Sequence, residues 1–296
     1  MGKLLDALAQ NKLLVSDGAW GTMLQEAGMT ANDCPEAWNL SHPEVVRGIA
    51  QAYGEAGSDI VLTNTFGAST VKLAKMGYDT KVTEINKAGI RLSLEGAPDA
   101  IIMGSVGPSG EFLMPLGDME EETLASAFTD QISAMLEAGV HAICVETMMD
   151  QQEALCAIRA ARRLDPDLDI VSTFTFNAAG DSYRTMMGNS PAELAEAVAE
   201  AGANVVGSNC GNGIEQMIPI TREFRNATDL PILIHANAGL PEMVGSKAVY
   251  NQGPEVMAGY VQALVEAGAQ IIGGCCGTTP DHIRAIKAII DPLRNQ

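Results

Sequence analysis

The sequence predicts a (β/α)8 barrel, a TIM barrel of the α/β class, occupying residues 1–296 as a single domain. Three observations predict it. Short β-branched or aliphatic runs that end in Gly, Asn, Thr or Cys recur along the chain. An amphipathic, helix-like stretch follows each run. The tripeptide Glu-Ala-Gly appears at 55–57, 137–139, 200–202 and 266–268, each time closing a helical stretch shortly before the next apolar run. The glycine suits the left-handed position from which a helix turns back into a strand. Eight strand–helix units in 296 residues average 37 residues each, which suits a barrel of roughly 250 residues with loop insertions. A doubly wound open sheet is the alternative arrangement of the same units. No linker, low-complexity tract or shift of composition marks a second domain.

In chain order the strands are read as Leu13–Asp17, Asp59–Thr65, Ile101–Val106, Ala142–Glu146, Ile170–Phe176, Val205–Asn209, Pro231–Ala236 and Ile271–Cys275. Several are almost continuously apolar, as parallel strands buried on both faces are. Helix starts are marked by Ser190-Pro191, Gly253-Pro254 and Thr279-Pro280, which join a candidate N-cap to a first-turn proline. Leu194, Ala197, Val198 and Ala201 then follow at i, i+3, i+4 and i+7, and Met257, Tyr260, Val261, Leu264 and Val265 repeat that spacing. Ile283, Ile286 and Ile290 form the inner stripe of the last helix. Glu120-Glu121-Glu122 favours a helix N-terminus.

Charge and composition exclude several classes of function. There are 37 acidic and 18 basic side chains, a formal net charge of −19, so a phosphate backbone would meet a repulsive surface and nucleic acid is not an expected partner. No apolar run approaches the roughly 20 residues that span a bilayer. The segment Met1–Asn11 carries Asp6 within its apolar pattern and lacks a signal-peptide cleavage site. A cytoplasmic protein is expected, in which the six cysteines are core residues, metal ligands or nucleophiles rather than disulfides.

In a barrel the chemistry gathers where the strands end. Asp17-Gly18, Thr63-Asn64-Thr65, Ser105, Glu146-Thr147, Asn209-Cys210, His235 and Gly273-Gly274-Cys275-Cys276-Gly277 occupy those ends. Cys210 closes strand six, and Cys275 with Cys276 closes strand eight. The two strands are next-nearest neighbours in a closed barrel, so three thiolates can converge on one Zn2+ and leave a fourth position open, the pattern of a catalytic site. Such a zinc is a weak Lewis acid that can still hold a substrate thiol as thiolate, so alkylation of a thiol is expected rather than hydrolysis. The vicinal pair read alone is also compatible with core packing, a vicinal disulfide or a redox pair; the flanking glycines argue against simple packing. Cys144 and Cys156 read as core, and Cys34, in a loop, has no assignment.

Asp17-Gly-Ala-Trp-Gly-Thr22, Leu62-Thr-Asn-Thr-Phe66, Glu146-Thr147, Gly207-Ser-Asn-Cys210 and Gly273-Gly-Cys-Cys-Gly-Thr-Thr279 resemble the zinc-dependent homocysteine S-methyltransferase family, along nearly the whole chain. That family includes the homocysteine-binding module of cobalamin-dependent methionine synthase, bacterial and mammalian betaine–homocysteine methyltransferases and S-methylmethionine-dependent enzymes. The resemblance implies a cytoplasmic methyltransferase of methionine biosynthesis, with zinc on Cys210, Cys275 and Cys276 and a homocysteine thiolate attacking a methyl group. It implies that Asp17 and Glu146 hold the substrate amino group. It also implies that Gly18, Thr63, Asn64, Thr65 and Asn209 belong to the amino-acid pocket.

The signals for the methyl donor conflict. Mammalian-type betaine enzymes carry an aromatic residue straight after the strand-two Thr-Phe, where this chain has Gly67. Gly104–Gly110, Glu111 and Pro115–Gly117 are similar to bacterial betaine-type members, whereas the opening Asp17–Met23 stretch looks more like methionine synthase. No cobalamin or folate module is read after residue 296, and His42, His141, His235 and His282 all lack the cobalamin-binding motif. The donor is therefore a small molecule such as betaine, a sulfonium or S-methylmethionine, or a methyl-corrinoid carried by a separate protein partner. A zinc-storing or thiol-redox protein without transfer activity is a third reading.

Overall fold

The structure is a computed structural model that describes residues 2–244 and 247–294; Met1 lies outside them. Eight parallel strands form the barrel. They are β1 (Leu14–Val15), β2 (Ile60–Leu62), β3 (Ile101–Val106), β4 (Ala142–Met148), β5 (Asp169–Phe174), β6 (Val205–Gly213), β7 (Ile232–Asn237) and β8 (Ile271–Gly274). Their spatial order is β1-β8-β7-β6-β5-β4-β3-β2, and a parallel bridge between Ser16 and Ile60 joins the last to the first. An open, doubly wound sheet is thereby excluded. The helices α1 (Pro43–Glu55), α2 (Val82–Gly96), α3 (Glu121–Glu137), α4 (Gln151–Leu164), α5 (Pro191–Ala201), α6 (Ile214–Ala227), α7 (Pro254–Ala267) and α8 (Pro280–Leu293) follow the strands in turn. Two antiparallel strand pairs, 177–179 with 182–184 after β5 and 241–244 with 247–250 after β7, extend the loops at the C-terminal ends of the strands. No helix of the described residues is long and apolar enough to cross a membrane.

Local chemistry accounts for the helix ends. Ser190 and Glu193 form a capping box at α5, and Pro191 occupies its first turn. Glu121 and Glu122 lie in the first turn of α3, where carboxylates complement the helix dipole. These four Glu-Ala-Gly copies close helices, and so does a fifth at 26–28, with Gly28, Gly57, Gly139, Gly202 and Gly268 at φ between 87° and 112°. After each glycine the next N–H reaches five residues back, as in Ala203 N to Val198 O at 2.9 Å. This bond defines a Schellman turn and directs the chain into the following strand.

The seam between β1 and β2 is shorter than the sequence predicts. Strand β1 covers two residues of the expected Leu13–Asp17, and β2 three of the expected Asp59–Thr65. Carboxylates replace ladder bonds there. Asp59 accepts from Val15 N–H at 2.7 Å near the start of the seam, and Asp17 accepts from Leu62 N–H at 2.8 Å at its upper end. Beyond Leu62 the chain turns on itself, with Thr65 N–H bonded to Thr63 O at 2.8 Å. Strand β3 has its expected bounds, the ends of β4, β5, β7 and β8 shift by at most two residues, and β6 runs four residues past the expected Asn209.

The barrel interior is a packed apolar layer, in which Leu14, Ile60, Met103, Cys144, Val171 and Leu233 meet Leu4 and Leu8 of the N-terminal helix Lys3–Asn11. A second, larger layer lies between strands and outer helices and includes Cys156. The N-terminal helix closes the bottom of the barrel. Gly2 supplies no side-chain cap; instead buried Asp169, at the start of β5, accepts from Leu4 N–H at 2.9 Å and Leu5 N–H at 3.2 Å. Asp169→Ala leaves both donors without a partner. It is expected to lower stability by about 1–2 kcal/mol, measured by urea unfolding, and to raise amide exchange at Leu4 and Leu8 before the rest of the barrel.

Candidate active site

The ends of β1, β2, β3, β4, β6, β7 and β8 enclose a cavity of about 270 Å3. At one side lie the three sulfurs. Cys210, Cys275 and Cys276 have Sγ atoms within 4.8 Å of one another, and Cys210 Sγ is 3.9 Å from Cys276 Sγ. All three are free thiols. Tetrahedral zinc with bonds near 2.3 Å separates its sulfurs by about 3.8 Å, close to the 3.9 Å between Cys210 and Cys276, so the three sulfurs are grouped as such an ion requires.

Backbone geometry brings the sulfurs together. Cys210 has φ 59° and Gly211 φ 70°, and the register of β6 with β7 slips between Asn209 and Gly213. This left-handed bend swings the Cys210 thiol toward β8. Past β8, Cys275 N–H bonds to Ala236 O at 2.7 Å, Ala238 N–H to Cys276 O at 3.0 Å, and Thr278 N–H to Cys275 O at 3.1 Å. The Cys-Cys turn is thereby tied to β7. Gly277 has φ 81°, and a Cβ there would collide with the Tyr250 ring.

The thiols share charge unevenly. Hydrogen bonds from Cys210 and Cys275 pull the Cys276 thiol down to about 3, with a further bond from the Tyr250 hydroxyl. Cys275, which shares its hydrogen with Cys210 and Cys276 and is buried, is pushed well above the usual thiol range. One thiolate forms readily and the next meets its charge, so a cation is what lets all three ionise together. The amide oxygen of Asn237, on the strand between the two cysteine-bearing strand ends, is buried with no partner. It is a donor that a cation at these strand ends would satisfy.

The same cavity holds two buried carboxyls. Burial pushes Asp17 up to about 7, against hydrogen bonds from Trp20 Nε1 at 2.9 Å, Leu62 N–H and Ser16 Oγ. Burial likewise raises Glu146 to about 7, opposed by a short bond from Ser105 Oγ and reinforced by the charges of Asp17 and Cys210. No Lys or Arg is among the residues lining the cavity. The lone imidazole, His235, is held neutral by burial. The space between carboxyls and sulfurs therefore favours a ligand that carries a positive group and a thiol.

Asp17, Gly18, Thr63, Asn64, Glu146 and the three cysteines all line this cavity. Thr65 and Asn209 do not. Thr65 is fully buried behind the wall, donating to Ser105 O at 2.8 Å and bonding Thr63 Oγ1 at 2.7 Å. Asn64 reaches the wall, but its amide is committed to Pro35 O and Asn39 Oδ1. Asn209 sits behind Glu146 and Thr147. The sequence did not single out Trp20 and Ser105 as partners of the carboxyls, although both stand in the strand-end motifs. Glu36 and Tyr250 carry no motif signal, because loops distant in sequence deliver them. Buried Cys34 donates to Glu36 Oε2 at 3.5 Å.

The cluster predicts metal binding. The protein is expected to take up one zinc per chain, measured by elemental analysis after dialysis. Cys210→Ala or Cys275→Ala is expected to weaken that binding by orders of magnitude, since each removes one of three charged ligands.

Comparison with known proteins agrees with this geometry. The chain is 32% identical to methionine synthase of Mycobacterium leprae over 97% of its own length, and 32% identical to methionine synthase of Mycobacterium tuberculosis over 98%. It spans about a quarter of the length of these curated relatives, 25% and 26%. The crystal structure of the metallated homocysteine methyltransferase MmuM from Escherichia coli superposes with a TM-score of 0.79 at 23% identity, over 96% of this chain and 99% of that one. The sequence profile of the homocysteine S-methyltransferases matches residues 14–290, and the chain belongs to the homocysteine S-methyltransferase family.

Proposed function

We propose that this barrel S-methylates homocysteine to methionine, with the substrate's sulfur at the three cysteines and its ammonium between Asp17 and Glu146. The observation that carries the reading is the pairing, in one cavity, of a three-thiol cluster with two buried carboxyls that have no cation of their own. Zinc on Cys210, Cys275 and Cys276 would supply one thing, a substrate thiol that is ionised yet still nucleophilic at neutral pH. The chain's own residues do the rest. Asp17 and Glu146 bind and orient the ammonium, and the backbone at the strand ends that carry Gly18 and Thr63 offers N–H groups to the carboxylate. Trp20 and Ser105 hold the two carboxyls in place. The sulfur attacks the methyl carbon, the new S–C bond forms, and the donor leaves with the electron pair of the broken bond.

The donor side of the cavity differs from an aromatic cage. Glu36 Oε1 accepts from Gly67 N–H at 2.6 Å, and a Cβ at Gly67 would come within 2.7 Å of that oxygen. The place of the betaine enzymes' aromatic ring is thus filled by a carboxylate, with Phe66 and Trp20 as the aromatic surface of the wall. A second reading of the donor rests on the rim. Phe112, Met114, Leu116, Met186, Leu240 and Met243 are 48–68% exposed, and all stand on loops around the mouth. An apolar collar of this kind suits a protein that delivers the methyl group, such as a methyl-corrinoid carrier, better than it suits open solvent.

Zinc-loaded protein, homocysteine and a panel of donors separate these possibilities, with methionine as readout. Turnover with betaine, a sulfonium or S-methylmethionine alone establishes a self-sufficient enzyme. Turnover restricted to methylcobalamin or a methylated corrinoid protein establishes the delivered donor. Thiol binding without turnover under any donor refutes the transferase reading.

The carboxyls make binding pH-dependent. Both have folded-state pKa values raised to about 7, so in the substrate-free protein they are largely protonated at pH 6. An arriving ammonium expels those protons. Affinity for homocysteine is expected to strengthen as pH rises from 6 to 8, with proton release seen by calorimetry in two buffers. The stability sign is opposite: raised carboxyls stabilise the empty protein at low pH and lose that contribution as pH rises through about 7. Asp17→Asn is therefore expected to raise stability at pH 8 while weakening homocysteine binding by tenfold or more.

A further inference from the structure

Among the described residues, two of the three non-glycine residues with positive φ, Thr147 at 60° and Cys210 at 59°, lie in the C-terminal halves of β4 and β6, which have β5 between them. A β-branched residue there is a rare conformation, and such residues persist only where their surroundings over-determine them. One side chain does so. Asn209 Oδ1 accepts from Thr147 N–H at 2.8 Å, the donor that the slipped register between β4 and β5 releases from the ladder. Asn209 Nδ2 donates to Thr147 Oγ1 at 2.7 Å and more weakly to Glu146 Oε2 at 3.4 Å. Thr173 Oγ1 adds a bond to Oδ1 at 2.8 Å, and Thr175 Oγ1 donates to Asn209 O at 3.0 Å. The amide therefore uses both hydrogens and both lone pairs, and it is 1% exposed. It lies outside the cavity wall, yet its backbone runs directly into Cys210.

We infer that Asn209 is a positioning residue, a strut that sets the distance between the Cys210 sulfur and the Glu146 carboxylate and so measures the length of the amino-acid thiol between them. This rests on the homocysteine reading, because the two groups it spaces are the proposed sulfur and ammonium sites. Homocysteine has two methylenes between its α-carbon and sulfur; cysteine has one. A fixed spacing accepts the first and leaves the second short of one contact. Thr147 is the near end of the strut, held by its backbone N–H and hydroxyl together. Its positive φ turns the chain immediately after Glu146, as the positive φ of Cys210 does immediately after Asn209. Loss of the amide frees both turns at once.

The test uses the full chain loaded with Co2+, whose thiolate charge-transfer absorption reports the sulfur ligands without turnover. L-homocysteine and L-cysteine are titrated as probes against the parent, Asn209→Ser, Thr147→Val and Thr147→Ser. Asn209→Ser is expected to weaken Co2+ binding and homocysteine binding each about tenfold, the scale seen when a residue supporting a metal ligand is lost, and to shift the charge-transfer band. Thr147→Val keeps the side-chain shape and removes the hydroxyl; it is expected to weaken homocysteine binding while cysteine binding stays level, so that the preference narrows. Thr147→Ser is expected to recover most of that loss. A lowered melting temperature with the parent's band, Co2+ affinity and homocysteine preference would make Asn209 a merely structural residue and overturn the inference. If Asn209→Ser does not fold, Thr147→Val against Thr147→Ser decides the question. If the parent itself shows no response to homocysteine, the functional reading fails, and the strut is judged on the Co2+ band and affinity of Asn209→Ser alone.

Discussion

Three thiol sulfurs have to share a few ångströms at the mouth of this barrel, and the upper half of the fold is arranged around that crowding. Like charges so close cannot all ionise without a cation, and no lysine or arginine lines the cavity to provide one. Strands alone could not bring the sulfurs together, because regular parallel strands point neighbouring side chains along parallel lines. The chain departs from regularity at the cysteines themselves. Cys210 turns left-handed, and the Cys275-Cys276 turn is fastened to Ala236 and Ala238 of the intervening strand end. A cation bound there would neutralise charge, and the fold holds the three sulfurs grouped for it.

The carboxyls of the same cavity answer a different electrostatic problem. Burial of Asp17 and Glu146 without a partner would cost several kcal/mol if both stayed ionised, and each instead has its pKa raised to about 7. Their hydrogen bonds orient them without cancelling their demand for a cation. Asp17 in addition takes a ladder bond from Leu62 and so helps to close the β1–β2 seam. The same carboxyl thus joins the fold to the site, and its position relative to the sulfurs is as rigid as the barrel. A negative cavity in a chain of net charge −19 fits a cationic ligand and disfavours anionic competitors.

Much of this was legible in the residue order. The eight apolar runs, the Glu-Ala-Gly turns and the Ser190-Pro191 cap are short-range signals, because the bonds they encode close within a few residues. The convergence of Cys210 with Cys275 and Cys276 followed from strand placement alone, since strands six and eight flank a single neighbour. What was not legible depends on side chains replacing backbone partners. Asp17 and Asp59 shorten β1 and β2 by accepting ladder hydrogens, and no hydrophobic period records such an exchange. Asp169 caps a helix 165 residues away in sequence. Glu36 and Tyr250 arrive on loops whose paths no local pattern fixes. Thr65 and Asn209 sit within motifs at the site yet face away from the cavity wall, because a motif marks a neighbourhood and not the direction of each side chain.

The division between the two ends of the barrel explains why the arrangement can tolerate its own strain. At the bottom, Leu4 and Leu8 fill the interior and Asp169 satisfies the helix that carries them, so that end contributes stability. At the top, Thr147 and Cys210 hold left-handed conformations that cost about 1–3 kcal/mol each, and Asn209 offsets that cost with a fully bonded amide. Relaxing either residue into a regular strand would recover energy and lose direction: the Cys210 sulfur would leave the cluster, or the Glu146 carboxyl would turn away from the cavity. A reaction between a thiol and a methyl group needs the sulfur at one defined point. A strand end bent once and pinned by a buried amide defines that point more narrowly than a loop could. The strain is therefore concentrated in the two residues that follow the amide and the carboxylate, where it aims the Cys210 sulfur and the Glu146 carboxyl of the proposed site.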